Sequence, residues 1–236
     1  MHEDNPATPG SAVVARRAVC LLALQLRCIA ELQARRDLME AMADWRGIEE
    51  WVARDVEPDL CADEREVILA AIGGCPTPSF IDATWRAEAL GVLLWSLGAI
   101  DSLPPFDTKF DIDELLDRAP GLAEVQSFVD RAELRRQGEI ADAEERASHW
   151  LWRLRSMPHY GKSLMSPTVR QANAGYADNW PDDVAEGDLA AFGGPVFRLD
   201  LDSSELRALR SIVEERCRAL RWLARGGSWE DVDMSS

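Results

Sequence analysis

Nothing constrains this chain more than the run Ala83-Thr-Trp-Arg-Ala-Glu-Ala-Leu-Gly-Val-Leu-Leu-Trp-Ser-Leu-Gly98, where nearly every position from Ala89 to Leu97 is apolar. A helix with no polar face has no side to turn toward water, so the rest of the chain must be wrapped around it. Its first turn is polar on one side, through Arg86 and Glu88. Asp82 or Thr84 can cap the opening amides, and Gly98 is placed to end the helix in a left-handed conformation. Gly91 costs about 1 kcal/mol against alanine inside a helix, which points to a second helix crossing closely at that position.

Helical spacing recurs on both sides of this core helix. Ala18, Leu21, Leu22, Cys28, Ile29 and Leu32 define a helix over Ala12–Arg35, and Trp45, Ile48, Trp51 and Val52 a second over Leu38–Val56. Asp63 with Glu66 reads as a capping box opening a helix to Ile72. Beyond the extended Leu103-Pro-Pro-Phe-Asp107 connector, short helices are expected at Asp111–Arg118 and Leu122–Arg131. A long helix over Glu133–Met157 carries Ala143, Ala147, Trp150, Leu151 and Leu154 as its stripe, and Asp202 with Glu205 opens the last, Ser203–Arg225. Strand-type alternation is almost absent. The expectation is therefore an all-α single domain over 11–236, of about eight helices packed around the buried helix 83–98. A flexible tail at 1–10 precedes it, and a loop-rich region lies at 158–201, with a brief helix from Pro167 to Ala174 and an extended piece at Val196–Leu199.

Composition narrows the function classes. The formal charge of −16 repels phosphate backbones, and no basic stripe offsets it, so nucleic acid is not an expected partner. No apolar run reaches the ~20 residues of a membrane helix. Arg16-Arg17 before Ala18–Leu26 resembles the start of a secretion signal, but Gln25 and Arg27 cut the run short. The five cysteines show neither disulfide nor zinc spacing, which fits a reducing, cytoplasmic compartment.

Motifs for phosphate binding and for a nucleophile are missing. His2, His149 and His159 are the only histidines; Glu145 and His149 stand one turn apart, yet a bundle di-iron site wants Glu-x-x-His and position 148 is serine. No metal and no cofactor is expected. What stands out is a set of charges inside apolar helices: Arg86, Glu88, Glu139, Glu215 and Arg216, with Asp142 on the face of Glu139. Buried charges must pair, so Arg–Glu bridges between helices are the ordinary reading, and a carboxylate-lined cleft the sharper one.

Four stretches then resemble a bacterial family called domain of unknown function 4272. Asp82–Gly98 with Leu103–Asp107 is similar to its Trp-Arg-x-Glu-x-Leu core, and Leu134–Ile140 with Trp150–Arg153 to its second block. Asp188–Pro195 is similar to its Phe-Gly-Lys-Pro connector, and Glu214–Leu223 with Trp229–Val232 to its closing block. The chain departs at Cys217 for histidine, Arg221 for asparagine and Met234-Ser-Ser for Thr-Asp-Thr. The resemblance implies one fold and carries no activity. Taken together, these features lead to the expectation of a non-enzymatic, acidic protein-interaction module, of inhibitor or immunity type, for a basic protein. The alternative is an enzyme or small-ligand-binding protein with a carboxylate- and Arg-lined cleft between helices.

Overall fold

A computed structural model describes residues 8–160, 167–200 and 202–235, with backbone alone at 158–160, 167–170, 173 and 181. Residues 1–7 of the expected tail, His2 among them, lie outside it. Nine α-helices are present among the described residues. They are α1 (Ser11–Ala34), α2 (Leu38–Asp55), α3 (Ala62–Leu69), α4 (Thr77–Ser96), α5 (Ile112–Arg118), α6 (Val125–Asp130), α7 (Gln137–Tyr160), α8 (Pro167–Asn179) and α9 (Ser204–Arg225).

The helix α4 contains the apolar run, and every residue from Glu88 to Ser96 is buried. Leu93 and Leu94 have no exposure, and Trp95 has little. It starts six residues before the expected position because Pro76 sits at its N-cap and Pro78 in its first turn, where a missing N–H breaks no helical bond. Asp82 and Thr84 are thus inside the helix, and Thr84 Oγ1 donates to the Ile81 carbonyl rather than capping. The other end follows the expectation. Gly98 has φ +74°, and N–H groups of Gly98 and Ala99 return to the Trp95 and Leu94 carbonyls in a Schellman motif.

α4 packs chiefly against α1 and α9, and α7 against α9. α1 proved as central as α4: Val14, Ala15 and the whole of Arg17–Gln25 are buried. Its two sides serve two cores. Val14, Ala18, Leu21 and Leu22 join the cluster of α4, α7 and α9, while Val19, Cys20, Ala23 and Leu24 join that of α2 and α3, with Trp45 and Trp51. Leu32, expected in the core, is 47% exposed.

Two caps differ in register from their sequence reading. α3 opens at Cys61, whose N–H donates to Glu64 at 3.1 Å, not at Asp63 with Glu66. α9 opens at Ser203, whose hydroxyl accepts from the Leu206 N–H, so Asp202 is not its cap. The region 158–201 is more ordered than expected. α7 runs on to Tyr160, α8 continues to Asn179, and Val196–Arg198 is a 3-10 turn rather than extended. Residues 161–166 and 201 of that region lie outside the described residues. Between α8 and α9 sits a small antiparallel sheet in the order β1 (Val184–Ala185), β2 (Asp188–Ala191), β3 (Gly194–Pro195). Pairing of Ala185 with Asp188, and of Ala191 with Gly194, leaves two-residue turns at Glu186-Gly187 and Phe192-Gly193. All four turn residues have positive φ, from 50° to 81°, the type I′ geometry that matches strand twist.

Candidate functional site

Where α4 crosses α9, the charges of the two apolar helices meet in pairs. Arg86 bonds Glu215 at 3.0 and 3.2 Å, and Arg216 bonds Glu88 at 2.8 Å. The second pair is the deeper, with side-chain exposures of 1% and 3% against 13% and 14%. Arg216 also donates to the carbonyls of Pro104, Pro105 and Thr108, and the second oxygen of Glu88 accepts the Phe110 N–H. Phe106 and Phe110 both lie against the guanidinium, at 5.6 and 4.9 Å. The pair therefore pins the proline-rich connector to the α4–α9 junction. Burial raises the Glu88 carboxyl above its ordinary value, and Arg216 and the Phe110 N–H oppose that rise. Burial likewise raises Glu215, against the pull of Arg86 and Arg218.

The close approach at Gly91 comes from this connector and not from a helix. A Cβ there would lie 2.4 Å from the ring of Phe110. On the other side, Arg135 closes the C-terminus of α4. Its backbone N–H bonds the Ser96 carbonyl, and its guanidinium bonds those of Trp95, Ile100 and Asp101. Residues 133–136 are consequently outside α7, which begins at Gln137.

Connector, α7, α9 and sheet enclose a cleft of about 750 Å³. Trp95, Phe106, Trp150, Trp180 and Leu220 supply apolar surface. Six carboxylates line it, Asp101, Asp107, Glu139, Asp142, Asp182 and Asp183, against the three arginines Arg135, Arg146 and Arg216. All three guanidiniums are engaged: Arg216 with Glu88, Arg135 with its carbonyls, and Arg146 with both oxygens of Asp183. Among the described residues, Asp101, Asp142 and Asp182 have no side-chain hydrogen bond or ion pair, so the surplus charge of the cleft is negative.

The five charges singled out in the sequence do not form one site. Arg216 and Glu139 line the large cleft, and Glu88 stands behind Arg216. Glu139 pairs locally with Arg136 at 2.9 Å, which holds its carboxyl below its ordinary value. Arg86 and Glu215 line a separate cavity of about 340 Å³, beside Asp63, Glu66 and Asp82. Two further buried acids, in the sheet and just before it, escaped sequence reading. Asp188 accepts two 2.6 Å bonds from Arg153 and the N–H groups of Leu189 and Phe197, so it anchors the sheet to α7. Asp183 does the same through Arg146 and Trp150 Nε1. The available signal was Arg146 and Arg153, seven apart on the face of α7 that carries Trp150.

His149 is buried and stacks on Tyr176 at 3.5 Å and Trp152 at 5.7 Å, with Trp180 stacked next at 4.9 Å from Tyr176. It is a packed ring in the α7–α8 contact. The side chain of His159 lies outside the described residues. No group of three or more His, Cys, Asp or Glu among the described residues is arranged for a metal. No described helix is long and apolar enough to cross a membrane.

The three departures from the resembled family are neighbours in space. Arg221 bonds Ser148 Oγ at 3.1 Å and the carbonyls of Asp233 and Ser235, and Ser148 Oγ lies 3.8 Å from Cys217 Sγ. Substitutions at Cys217, Arg221 and the C-terminus thus alter a single locality.

Compared with known proteins, residues 2–172 match the model of a family described as domain of unknown function (DUF4272). The match takes in α1 to α7 and ends before the sheet and α9, so the two later blocks of the resemblance lie outside it. No curated protein and no solved structure matches the chain.

Proposed function

The chain belongs to the family described as domain of unknown function (DUF4272), and from the cleft its fold builds we propose that it is a binding protein for a small organic cation. One observation carries this reading: a cleft of about 750 Å³ has aromatic walls and six lining carboxylates, and its three arginines are already engaged. An anion would find no unsatisfied guanidinium there. An ammonium or guanidinium group would find Asp101, Asp142 and Asp182, and π faces worth about 0.5–2 kcal/mol to a desolvated cation. A concave site of this volume is of small-molecule size.

Calorimetric titration with benzyltrimethylammonium, agmatine and spermidine, and with phenylacetate as control, tests the proposal. Binding of at least one cation and not of phenylacetate is expected, weakened by salt and by Asp142→Asn or Asp182→Asn. Failure of all three cations at millimolar concentration would count against it.

A second reading is favoured by the overall charge of −16. On it, the protein is a cytoplasmic, non-enzymatic interaction module of inhibitor or immunity type whose partner is a basic protein. Attraction of that kind speeds encounter and fades as salt rises. A complex with a basic host protein that survives washing at low salt and is lost at high salt would support it. Its five cysteines, all free thiols and four of them buried, agree with a reducing compartment.

A further inference from the structure

Arginines of this protein recur where a carboxylate and an aromatic ring meet. Arg17 bonds Glu64 at 2.5 Å and lies over Trp229 at 5.5 Å. Arg27 does the same with Glu31 at 2.7 Å and Trp45 at 5.6 Å, and Arg216 with Glu88 at 2.8 Å and Phe110 at 4.9 Å. The combination has a physical reason. A guanidinium is planar and weakly hydrated, so its face stacks on a ring while its N–H edge stays free to donate to a carboxylate.

The large cleft holds one such combination without an arginine. Four aromatic side chains line it among the described residues. Trp95 is covered by Arg135 at 5.2 Å and Phe106 by Arg216 at 5.6 Å. Trp150 is 1% exposed, packed on Phe106 and bonded through Nε1 to Asp183. Trp180 is half-buried and stacks on Tyr176, and among the described residues no cation lies over it. Two residues on, Asp182 is exposed, lines the same cleft and has no side-chain partner among the described residues.

The turn that carries both is held in place. The Trp180 N–H returns to the Tyr176 carbonyl at 2.7 Å just past the end of α8, and the Asp183 N–H bonds the Trp180 carbonyl at 3.0 Å. Asp183 is tied in turn to α7 through Arg146 and Trp150. Ring and carboxylate are therefore positioned before any ligand arrives, and binding costs little ordering of the chain.

We propose that the ligand of the cleft is a small guanidinium compound, its head stacked on Trp180 and its N–H groups donated to Asp182. A quaternary ammonium would leave Asp182 without a donor. A primary ammonium, a compact and strongly hydrated charge, is the poorer partner for the ring. The inference rests on the cation-binding reading and names both the class of cation and the residues that select it.

The test compares agmatine with cadaverine, a dication of similar length that has an ammonium in place of the guanidinium, by calorimetric titration of the full chain. Agmatine should bind the wild type more tightly. Trp180→Leu should weaken agmatine by about two- to thirtyfold, the range of a cation–π contact, and Trp180→Phe by less than about threefold. Asp182→Asn should weaken it by about two- to fivefold, as for an exposed ion pair. Trp180 also stacks on Tyr176, so a second readout is independent of how well the leucine variant folds. The indole N–H resonance that disappears in Trp180→Phe should shift when agmatine is added to the wild type. Equal affinity for the two dications, unchanged agmatine binding by folded Trp180→Leu or Asp182→Asn, or an indole resonance that does not move overturns this inference and leaves the cation-binding reading standing. No cation bound by the wild type removes both.

Discussion

Replacing Arg216 with alanine should be the most damaging single change at the α4–α9 crossing. The guanidinium is 1% exposed and its partner Glu88 3%, so neither charge has water to fall back on. Removing one member of such a pair leaves the other buried and unpaired, which costs about 3–5 kcal/mol. The carbonyls of Pro104, Pro105 and Thr108 lose their donor at the same time. Against a total stability of about 5–15 kcal/mol the loss is a large share, and for a chain of this size it lowers the melting temperature by about 6–20 °C. The deficit should also depend on pH. Burial already raises the Glu88 carboxyl, and Arg216 is the main force opposing that rise, so the variant raises it further. A group whose folded value lies above its unfolded one contributes stability that is present below the unfolded pKa and lost as pH rises through the folded pKa. The gap between variant and wild type should therefore widen from about pH 4 to about pH 7. Urea unfolding followed by tryptophan fluorescence at both pH values measures it. Adding Glu88→Gln to the variant should recover about 1–3 kcal/mol at neutral pH by removing the orphaned charge. An Arg216→Ala protein as stable as wild type, or a deficit that does not change with pH, would refute the reasoning.

Glu215→Ala should cost less, about 1–3 kcal/mol, because Arg86 is more exposed and keeps Asp63 at 3.1 Å as a second partner; thermal melts beside Arg216→Ala will rank the two. Gly91→Ala drives a methyl into the Phe110 ring and should destabilise by about 1–3 kcal/mol in urea unfolding, with part recovered in the double variant Gly91→Ala, Phe110→Leu. In the native protein at mildly alkaline pH, Cys75 should react first with a thiol reagent such as Ellman's. Burial pushes the Cys20 and Cys28 thiols up to about 12, and they should react only once the chain is unfolded, as mass spectrometry of the labelled peptides will show.

What was legible in the sequence is what neighbouring residues decide among themselves. The burial of α4 followed from a run with no polar face, and its end at Gly98 from the one residue that takes φ +74° without strain. The three long helices at α1, α7 and α9 fell within a few residues of their apolar spacing, since a helix is built from bonds four residues apart. Even there a nearby competitor could shift the register, as Glu64 does at α3 and Pro76 and Pro78 do at α4. That Arg86, Glu88, Glu215 and Arg216 would pair was expected from the cost of burying charge. Which carboxylate takes which guanidinium was not, because the partners stand 128 and 129 residues apart and are chosen by the angle at which α4 crosses α9. The same distance in sequence hid Phe110 against Gly91 and Arg135 beneath the end of α4. It hid the second role of α1 as well, for an apolar side is visible in a sequence only as apolar, not as belonging to one core or two. The cleft is the extreme case. Its acids come from the connector, α7 and the segment between α8 and the sheet, no two of these segments adjacent in sequence, and only packing brings them to one surface.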